Sequence, residues 1–413
     1  MKKGTSVLLS VAMLIGISAS LNNVKMGEIS CDKPIFAYAQ SKENVSDDVK
    51  MVATGETNLQ IQAKSAYLTD FATGSLIYAQ NEREHLPIAS MCKIMTLILC
   101  FDSIDTGNLS MDEKITVSER AASMGGSQVF LEANAQYPVQ ELIKSIVVCS
   151  ANDSCVAIAE RIAGSESIFT DKMNEKAKEL GANDTLFANC TGLPKEPQYS
   201  CAKDVAIMLR ELLNHQEYFD FGKVWMDKFI HPAGRYTEIT NTNKLVRFYD
   251  GCDGGKTGFT NQAGFCLAAT AKRKDMRIIS VVIGAENSQK RFDGVRTMFD
   301  YAFANYTMTQ IAEADVPLDK VATISAGKEK TVPVCPARPV YVFSKRGEKL
   351  NVTTQTRLSV LRAPINEGEL LGEFIVYKDN VEIDRVPLIA MNSVAKANWF
   401  DRFRDVARGW NAR

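Results

Sequence analysis

The chain has 413 residues, enough for two or three domains, and its 46% hydrophobic and 23% charged residues are typical of a soluble globular protein. Lysine and arginine number 48 and aspartate and glutamate 49, so the net charge is −1. This balance gives no reason to expect nucleic acid as a partner, because proteins that bind it carry a basic surface.

The first twenty residues, MKKGTSVLLSVAMLIGISAS, combine a basic start with an apolar run from Val7 to about Ile17. Such a run is too short for a stable membrane span and is typical of a secretory signal. We predict a signal peptide over residues 1–39, ending at the A-x-A pattern of Ala37 to Ala39, with an earlier cleavage site near residue 20. A buried core helix is the alternative. The sequence thus predicts an exported protein.

Ten cysteines in an exported chain would normally suggest disulfides. Half of them lie inside apolar runs, where free cysteine behaves as a small hydrophobic residue: Cys92, Cys100, Cys149, Cys155 and Cys266. The chain has no C-x-x-C motif, and three histidines are too few to suggest a zinc cluster. We therefore expect mostly free thiols and no metal site.

Hydrophobic periodicity predicts an α+β domain over residues 60–306, with helices packed on an antiparallel sheet. The predicted elements are a hairpin that turns at Ala72-Thr73-Gly74, a helix opened by Ser90, helical segments on both sides of residues 150–153, helices over 168–180 and 202–214, strands over 236–246 and 264–286, and a closing helix over 288–306.

Short strands separated by turn residues predict a small all-β domain over residues 310–390. The tail, residues 392–413, is predicted to form an amphipathic helix. Its apolar residues are spaced by four, three and four, which places them on one face: Trp399, Phe403, Val406 and Trp410. Basic residues outnumber acidic ones in this segment, which favours a helix lying in a membrane interface. A terminal helix docked on its own domain is the alternative.

One short motif predicts nucleophilic chemistry. Ser90 and Lys93 form an S-x-x-K pattern at the start of the apolar segment that ends in IMTLIL. A spacing of three places both side chains on one helical face. Serine needs a neighbouring base, and a desolvated lysine at the positive end of a helix can act as that base. Ser325 and Lys328 repeat the pattern by chance, without helical context.

Two further motifs follow along the chain. Ser150 and Asn152 interrupt a helical pattern, which allows a hydroxyl and an amide to face a common cleft. Lys256, Thr257 and Gly258 lie between glycines, where a strand edge can approach a ligand and offer a cation and a hydroxyl to a carboxylate. A phosphate-binding loop is excluded, since it would need glycine where Asp250 stands. Each motif alone is weak, but their order S-x-x-K, S-x-N, K-T-G is typical of serine enzymes that acylate on penicillin-like and D-alanyl substrates.

The chain resembles the D-alanyl-D-alanine carboxypeptidases, which are the low-molecular-weight penicillin-binding proteins of the serine DD-peptidase family. The resemblance extends to GGSQVFLE, NTNKL and DGGKTGFTNQAG and is close over residues 60–306. It implies removal of the terminal D-alanine from peptidoglycan stem pentapeptides, sensitivity to β-lactams as covalent inhibitors, and no cofactor. It also implies a place on the outer face of the cytoplasmic membrane, where the tail would hold the protein to the membrane surface.

The resemblance assigns roles residue by residue. Ser90 would be the acylated nucleophile, Lys93 its general base, and Ser150 the relay of a proton to the leaving D-alanine. The substrate would be held by six residues, with the backbone N–H groups of Ser90 and Phe259 forming the oxyanion hole: Asn152, Lys256, Thr257, Gly258, Phe259 and Arg291.

Three positions depart from the family pattern without removing a catalytic group: Cys92, Gly255 and Thr191. A class A β-lactamase is one alternative, because Glu196-Pro197 superficially resembles its deacylating loop, but S-A-N replaces S-D-N. A binding module that keeps the fold and not the activity is the other alternative. Covalent labelling of Ser90 distinguishes it from an enzyme.

Overall fold

The computed structural model describes residues 59–401 and residue 403. Its first domain contains nine strands: β1 (Ser65–Asp70), β2 (Leu76–Gln80), β3 (Lys114–Thr116), β4 (Gln136–Pro138), β5 (Met226–Ile230), β6 (Tyr236–Thr240), β7 (Cys252–Thr260), β8 (Gly264–Arg273) and β9 (Met276–Ala285). Its helices are α1 (Lys93–Asp105), α2 (Glu119–Ala122), α3 (Val139–Cys149), α4 (Asn152–Ala163), α5 (Glu166–Glu179), α6 (Ala202–Leu212), α7 (Tyr218–Gly222), α8 (Leu245–Phe248) and α9 (Ser288–Asn305).

A five-stranded antiparallel sheet forms the centre of this domain, in the order β2-β1-β9-β8-β7. Residues 278–283 of the central strand β9 are all buried, because helices cover both faces of the sheet. A strand covered on both faces needs a continuous apolar run rather than an alternating one. This explains why RIISVVIGA carries no period of two.

The two faces of the sheet belong to two separate hydrophobic cores. Along β1, Tyr67 packs into the core of the helical block, while Ala66 and Leu68 pack into the core under α9. Successive side chains of a strand point to opposite faces, so β1 contributes to both cores. The predicted α+β domain with helices on an antiparallel sheet is confirmed.

The second domain is all-β, as predicted. Its strands are β10 (Tyr306–Ala312), β11 (Val321–Ser325), β12 (Thr331–Pro336), β13 (Val340–Lys345), β14 (Val352–Leu358), β15 (Leu361–Arg362), β16 (Leu370–Lys378) and β17 (Val381–Ala390). Six of them form one sheet in the order β14-β16-β17-β12-β11-β15, and β10 pairs with β13. Ser325 ends β11 and its hydroxyl donates to the Leu361 carbonyl, so the second S-x-x-K pattern begins at the end of a strand and not on a helix.

Three local predictions differ from the structure. Ser90 lies in a 3-10 turn, Ala89–Cys92, and the α-helix itself begins at Lys93. The strand predicted over residues 236–246 ends at Thr240, because asparagine side chains fold the following residues into a turn that leads to α8. The tail is not helical from residue 392, since Val394 pairs with Ile365 in the β-domain.

The tail becomes helical at Trp399, and the side chains of Trp399, Phe400 and Phe403 are exposed. The rest of the predicted amphipathic face, with Val406 and Trp410, lies outside the described residues, as does the predicted signal peptide. Within residues 59–401, no helix has the length and apolar character needed to cross a membrane. The nine cysteines of the described chain are all free, and eight of them are buried.

Candidate active site

Ser90 and Lys93 are in contact, as their spacing predicts. The Lys93 side-chain nitrogen Nζ donates hydrogen bonds to Ser90 Oγ at 3.0 Å and to the backbone carbonyl of Thr191 at 2.5 Å. The Lys93 side chain is fully buried, so these two acceptors fix its position. A nucleophile and a base within hydrogen-bond reach form the arrangement that activates a serine hydroxyl.

Two glycines allow neighbouring backbone segments to pack closely against the turn that carries Ser90. A Cβ on Gly192 would lie 2.0 Å from the carbonyl oxygen of Ala89, and a Cβ on Gly258 would lie 2.5 Å from that of Ile88. Ala89 itself has a left-handed backbone with φ of 48°, which costs an L-residue about 1–2 kcal/mol. The residues just before Ser90 are therefore held in a strained conformation between two backbone segments that only glycine allows to approach so closely.

The second motif lies at the interruption between α3 and α4. Ser150 has a left-handed backbone, with φ of 66° and ψ of 34°, which ends α3 and allows α4 to begin at Asn152. The Asn152 amide Nδ2 donates to the Gly125 carbonyl at 2.7 Å. Ser150 Oγ and Asn152 Oδ1 are buried and have no hydrogen-bond partner within the described chain. Buried polar atoms without partners are uncommon, and a role in binding or catalysis is one explanation for them.

The third motif lies on β7, the edge strand of the main sheet. Lys256 is 2% exposed, and its Nζ donates to the Thr257 carbonyl at 3.3 Å. Burial, with a smaller effect from the nearby Lys93 charge, lowers the pKa of Lys256 to about 7. The Thr257 hydroxyl donates to the Thr242 hydroxyl at 2.7 Å. The cleft thus contains a cation whose charge responds to pH near neutrality.

The departure at Gly255 has a structural reason in this chain. Gly255 has a φ of +129°, and a Cβ there would lie 2.3 Å from the Ala268 carbonyl oxygen on the paired strand β8. Its backbone N–H donates to the buried Tyr218 hydroxyl at 2.8 Å. Glycine therefore allows β7 to lie close to β8 just before Lys256, and Tyr218 holds it there.

Arg291 and Phe259 flank the K-T-G strand. From α9, the Arg291 guanidinium donates to the carbonyls of Gly258 and Cys266, each at 3.3 Å, and burial lowers its pKa to about 10. These two hydrogen bonds hold β7 and β8 together at the site. The Phe259 ring is 52% exposed and packs on Phe265 with ring centroids 4.4 Å apart. Gly258 lies against the backbone nitrogen of Ser90, which brings the two predicted oxyanion donors to the same part of the cleft.

Several contributing residues were missed by sequence reasoning. Thr191 was noted only as a departure, yet its carbonyl receives the Lys93 ammonium. Gly192, Tyr218 and Thr242 carried no chemical signal of their own. Thr242 lies in NTNKL, a segment quoted for the resemblance, and that position was the available signal for it.

One group of side chains in the described chain combines metal-ligand types. Asp184, Cys201 and Asp204 have ligand atoms within 4.8 Å of one another. Their carboxylates are already engaged, since Asp204 accepts from the Thr185 hydroxyl at 2.8 Å and Asp184 pairs with Arg83 at 2.9 Å. These bonds stabilise the loop that precedes α6.

Comparisons with known proteins show which families and proteins this chain is similar to. A model of the family "Peptidase_S11: D-alanyl-D-alanine carboxypeptidase" matches residues 51–287, and one of the "Penicillin-binding protein 5, C-terminal domain" matches residues 306–396. The D-alanyl-D-alanine carboxypeptidase DacF of Bacillus subtilis is 39% identical over 86% of this chain and 91% of its own. DacD of Escherichia coli is 30% identical over 84% of this chain and 90% of its own.

Solved structures share the fold. Penicillin-binding protein 5 of Haemophilus influenzae is 28% identical, covers 83% of this chain and 100% of its own, and has a TM-score of 0.66. Penicillin-binding protein D2 of Listeria monocytogenes, in an ampicillin-bound form, is 29% identical over 60% of this chain and 100% of its own, with a TM-score of 0.54.

Proposed function

The chain belongs to the Peptidase S11 family of D-alanyl-D-alanine carboxypeptidases, and we propose on that premise that it removes the terminal D-alanine of peptidoglycan stem pentapeptides through an acyl-Ser90 intermediate. The family supports a serine peptidase with D-Ala-D-Ala carboxypeptidase activity. The single observation that carries the proposed chemistry is the 3.0 Å hydrogen bond from Lys93 Nζ to Ser90 Oγ, made in a fully buried setting.

Acylation of Ser90 is the first half of the proposed reaction. Lys93 acts as the neutral amine: Nζ accepts the Ser90 hydroxyl proton while Oγ attacks the carbonyl carbon of the penultimate D-alanine. The backbone N–H groups of Ser90 and Phe259 stabilise the oxyanion that forms. When the intermediate collapses, Ser150 passes a proton to the amine of the leaving D-alanine and receives in turn the proton that Lys93 took from Ser90, which leaves Lys93 neutral again. Ser150 Oγ suits this role because it is buried and has no other partner within residues 59–401.

Hydrolysis of the acyl-enzyme completes the proposed cycle. Water adds to the acyl-Ser90 ester, its proton goes to the Lys93 amine, and Ser90 Oγ leaves with a proton returned by the lysine. Asn152 orients the substrate amide, and Lys256 with Thr257 binds the terminal carboxylate before the D-alanine departs. No step in this scheme needs a metal or an organic cofactor.

Sensitivity to penicillin follows from the same chemistry. A β-lactam presents a strained amide and a carboxylate, so Ser90 would open the ring and be left as an ester. The Listeria monocytogenes relative was crystallised in ampicillin-bound and cefotaxime-bound forms, which supports β-lactams as ligands of this fold. A class A β-lactamase would instead hydrolyse the drug. Glu196, which superficially resembles the glutamate of that class, lines a small cavity with Ala89 and Gly192. A binding module would form no adduct.

Two variants test the proposed roles. Ser90→Ala should abolish acylation by benzylpenicillin and release of D-alanine from a peptide ending in D-Ala-D-Ala, whereas Lys93→Ala should slow acylation by orders of magnitude. Normal acylation in Lys93→Ala would refute the role of the lysine. Drug consumption without an adduct would favour the β-lactamase.

We further propose that the protein is exported and acts in cell-wall remodelling at the outer face of the cytoplasmic membrane. The basic amphipathic sequence of the tail and the exposed Trp399, Phe400 and Phe403 support an interfacial helix. The amino-terminal apolar run supports export. Fractionation of cells into membrane, wall and medium tests both proposals, and recovery in the cytoplasm would contradict them.

A further inference from the structure

A short segment joins the second and third motifs. Asn241-Thr242-Asn243 runs between the end of α3 and strand β7. The Thr242 backbone N–H donates to the Val148 carbonyl at 3.0 Å, two residues before Ser150. The Asn243 amide Nδ2 donates to the Gly254 carbonyl at 3.1 Å, two residues before Lys256. The segment therefore has a fixed position relative to both motifs.

The flanking asparagines also fix the local conformation. The Asn241 amide Nδ2 donates to the Val224 carbonyl at 2.8 Å, and its Oδ1 accepts the Asn243 backbone N–H at 2.9 Å. Both asparagines are buried, whereas Thr242 between them is half-buried. The anchoring of the segment thus uses asparagine side chains and the Thr242 backbone, and the Thr242 hydroxyl is not needed for it.

The Thr242 hydroxyl is instead directed to the substrate-binding motif. It accepts the Thr257 hydroxyl proton, with 2.7 Å between the two oxygens. Thr257 is the residue whose hydroxyl the proposed function assigns to the terminal carboxylate, next to the Lys256 ammonium. Two hydroxyl oxygens this close together can donate to the two oxygens of one carboxylate, through hydrogen bonds of about 2.5–2.7 Å each.

We propose that Thr242 and Thr257 together bind the terminal carboxylate of the substrate, so that Thr242 is a second, unassigned residue of the carboxylate site and contributes to selectivity for a free carboxyl end. This inference rests on the proposed function. On binding, the Thr257 proton turns from Thr242 to one carboxylate oxygen, and the Thr242 proton is donated to the other. Lys256 supplies the opposite charge, and the hydroxyl pair supplies the geometry that distinguishes a carboxylate from its ester.

The test compares two thioester substrates that acylate Ser90 with the same D-alanyl group. One has a leaving group with a free carboxylate, and the other has its methyl ester. The measured quantity is the ratio of kcat/KM for the acid to kcat/KM for the ester. Thr242→Val should lower this ratio about tenfold, mainly through KM for the acid, because hydrogen bonds to charged groups are typically worth an order of magnitude or more. Activity on the ester should fall much less than activity on the acid.

Matched variants separate binding from folding. Thr242→Ser keeps the hydroxyl and should keep the ratio. Thr240→Val removes an exposed hydroxyl two residues away on β6 and should leave both kinetic constants unchanged. Thr257→Val should lower the ratio at least as much as Thr242→Val.

Each outcome has one meaning. An unchanged ratio in Thr242→Val, with a lowered ratio in Thr257→Val, would overturn the inference and leave the proposed function intact. An equal loss on both substrates would show a purely structural role for Thr242 and would also overturn the inference. A parent protein that hydrolyses neither thioester would overturn the proposed function, and the inference with it.

Discussion

Replacing Gly192 with alanine should disable the nucleophile while leaving the fold in place. The new Cβ would lie 2.0 Å from the Ala89 carbonyl oxygen, whereas ordinary contacts lie at 3.4–4 Å. The backbone before Ser90 must therefore move by more than ~1 Å, because the new Cβ is fixed to the Gly192 backbone and the Ala89 carbonyl oxygen is itself a backbone atom. A misplacement of about 1 Å can cost a reaction about 100-fold in rate.

The stability cost should be smaller than the kinetic one. Gly192 has a φ of +79°, and an L-residue there pays about 1–2 kcal/mol. Gly164 provides the matched control, since it has the same φ of +79° but nothing within 4 Å of its Cβ position. Gly164→Ala should lose about 1–2 kcal/mol of unfolding free energy and acylate normally, whereas Gly192→Ala also bears the backbone clash and should lose more.

The assay is the second-order rate constant for acylation by benzylpenicillin, followed by intact mass, together with urea unfolding of each variant. We expect Gly192→Ala to acylate at least 100-fold more slowly than Gly164→Ala under conditions where the urea titrations show both variants to be folded. Acylation of Gly192→Ala within threefold of the parent protein would refute the idea that this glycine sets the position of Ser90.

Three other predictions concern the charge, packing and tail of the protein. Because burial lowers the pKa of Lys256 to about 7, its charge is lost as pH rises through neutrality, and the acid-to-ester ratio of kcat/KM should fall between pH 6 and 9; a flat profile would contradict this. Tyr218→Phe removes the acceptor of the Gly255 N–H and should lower the free energy of unfolding by about 1–3 kcal/mol in urea titration. Deleting residues 399–413 spares the Val394 pairing and should abolish binding to anionic vesicles without changing D-alanine release; retained binding would exclude the tail as the anchor.

Hydrophobic patterning was sufficient for most of the fold. The hairpin of β1 and β2 and the closing helix α9 follow from period and turn residues. The strand β5 was missed because its exposed residues, Met226 and Ile230 among them, give it only one buried side chain, Phe229. Helix α8 was assigned to a strand because it is only four residues long and follows an asparagine turn.

The site was predictable where chemistry and spacing coincide in sequence. Ser90 and Lys93 are neighbours on one turn, so their contact follows from local geometry. The carbonyl of Thr191 and the hydroxyl of Thr242 come from distant segments, and their contribution depends on how loops pack. A backbone carbonyl carries no residue-type signal, and a threonine is too common to carry one alone. These groups therefore required the structure.

An intact-mass time course with benzylpenicillin tests the central claim most directly, using the parent protein, Ser90→Ala and Ser325→Ala. Ser325 opens the second S-x-x-K pattern at the end of β11, so Ser325→Ala serves as a matched control. The account predicts one persistent adduct on the parent and on Ser325→Ala, and none on Ser90→Ala. No adduct on the parent protein, or an adduct that persists in Ser90→Ala, would contradict it.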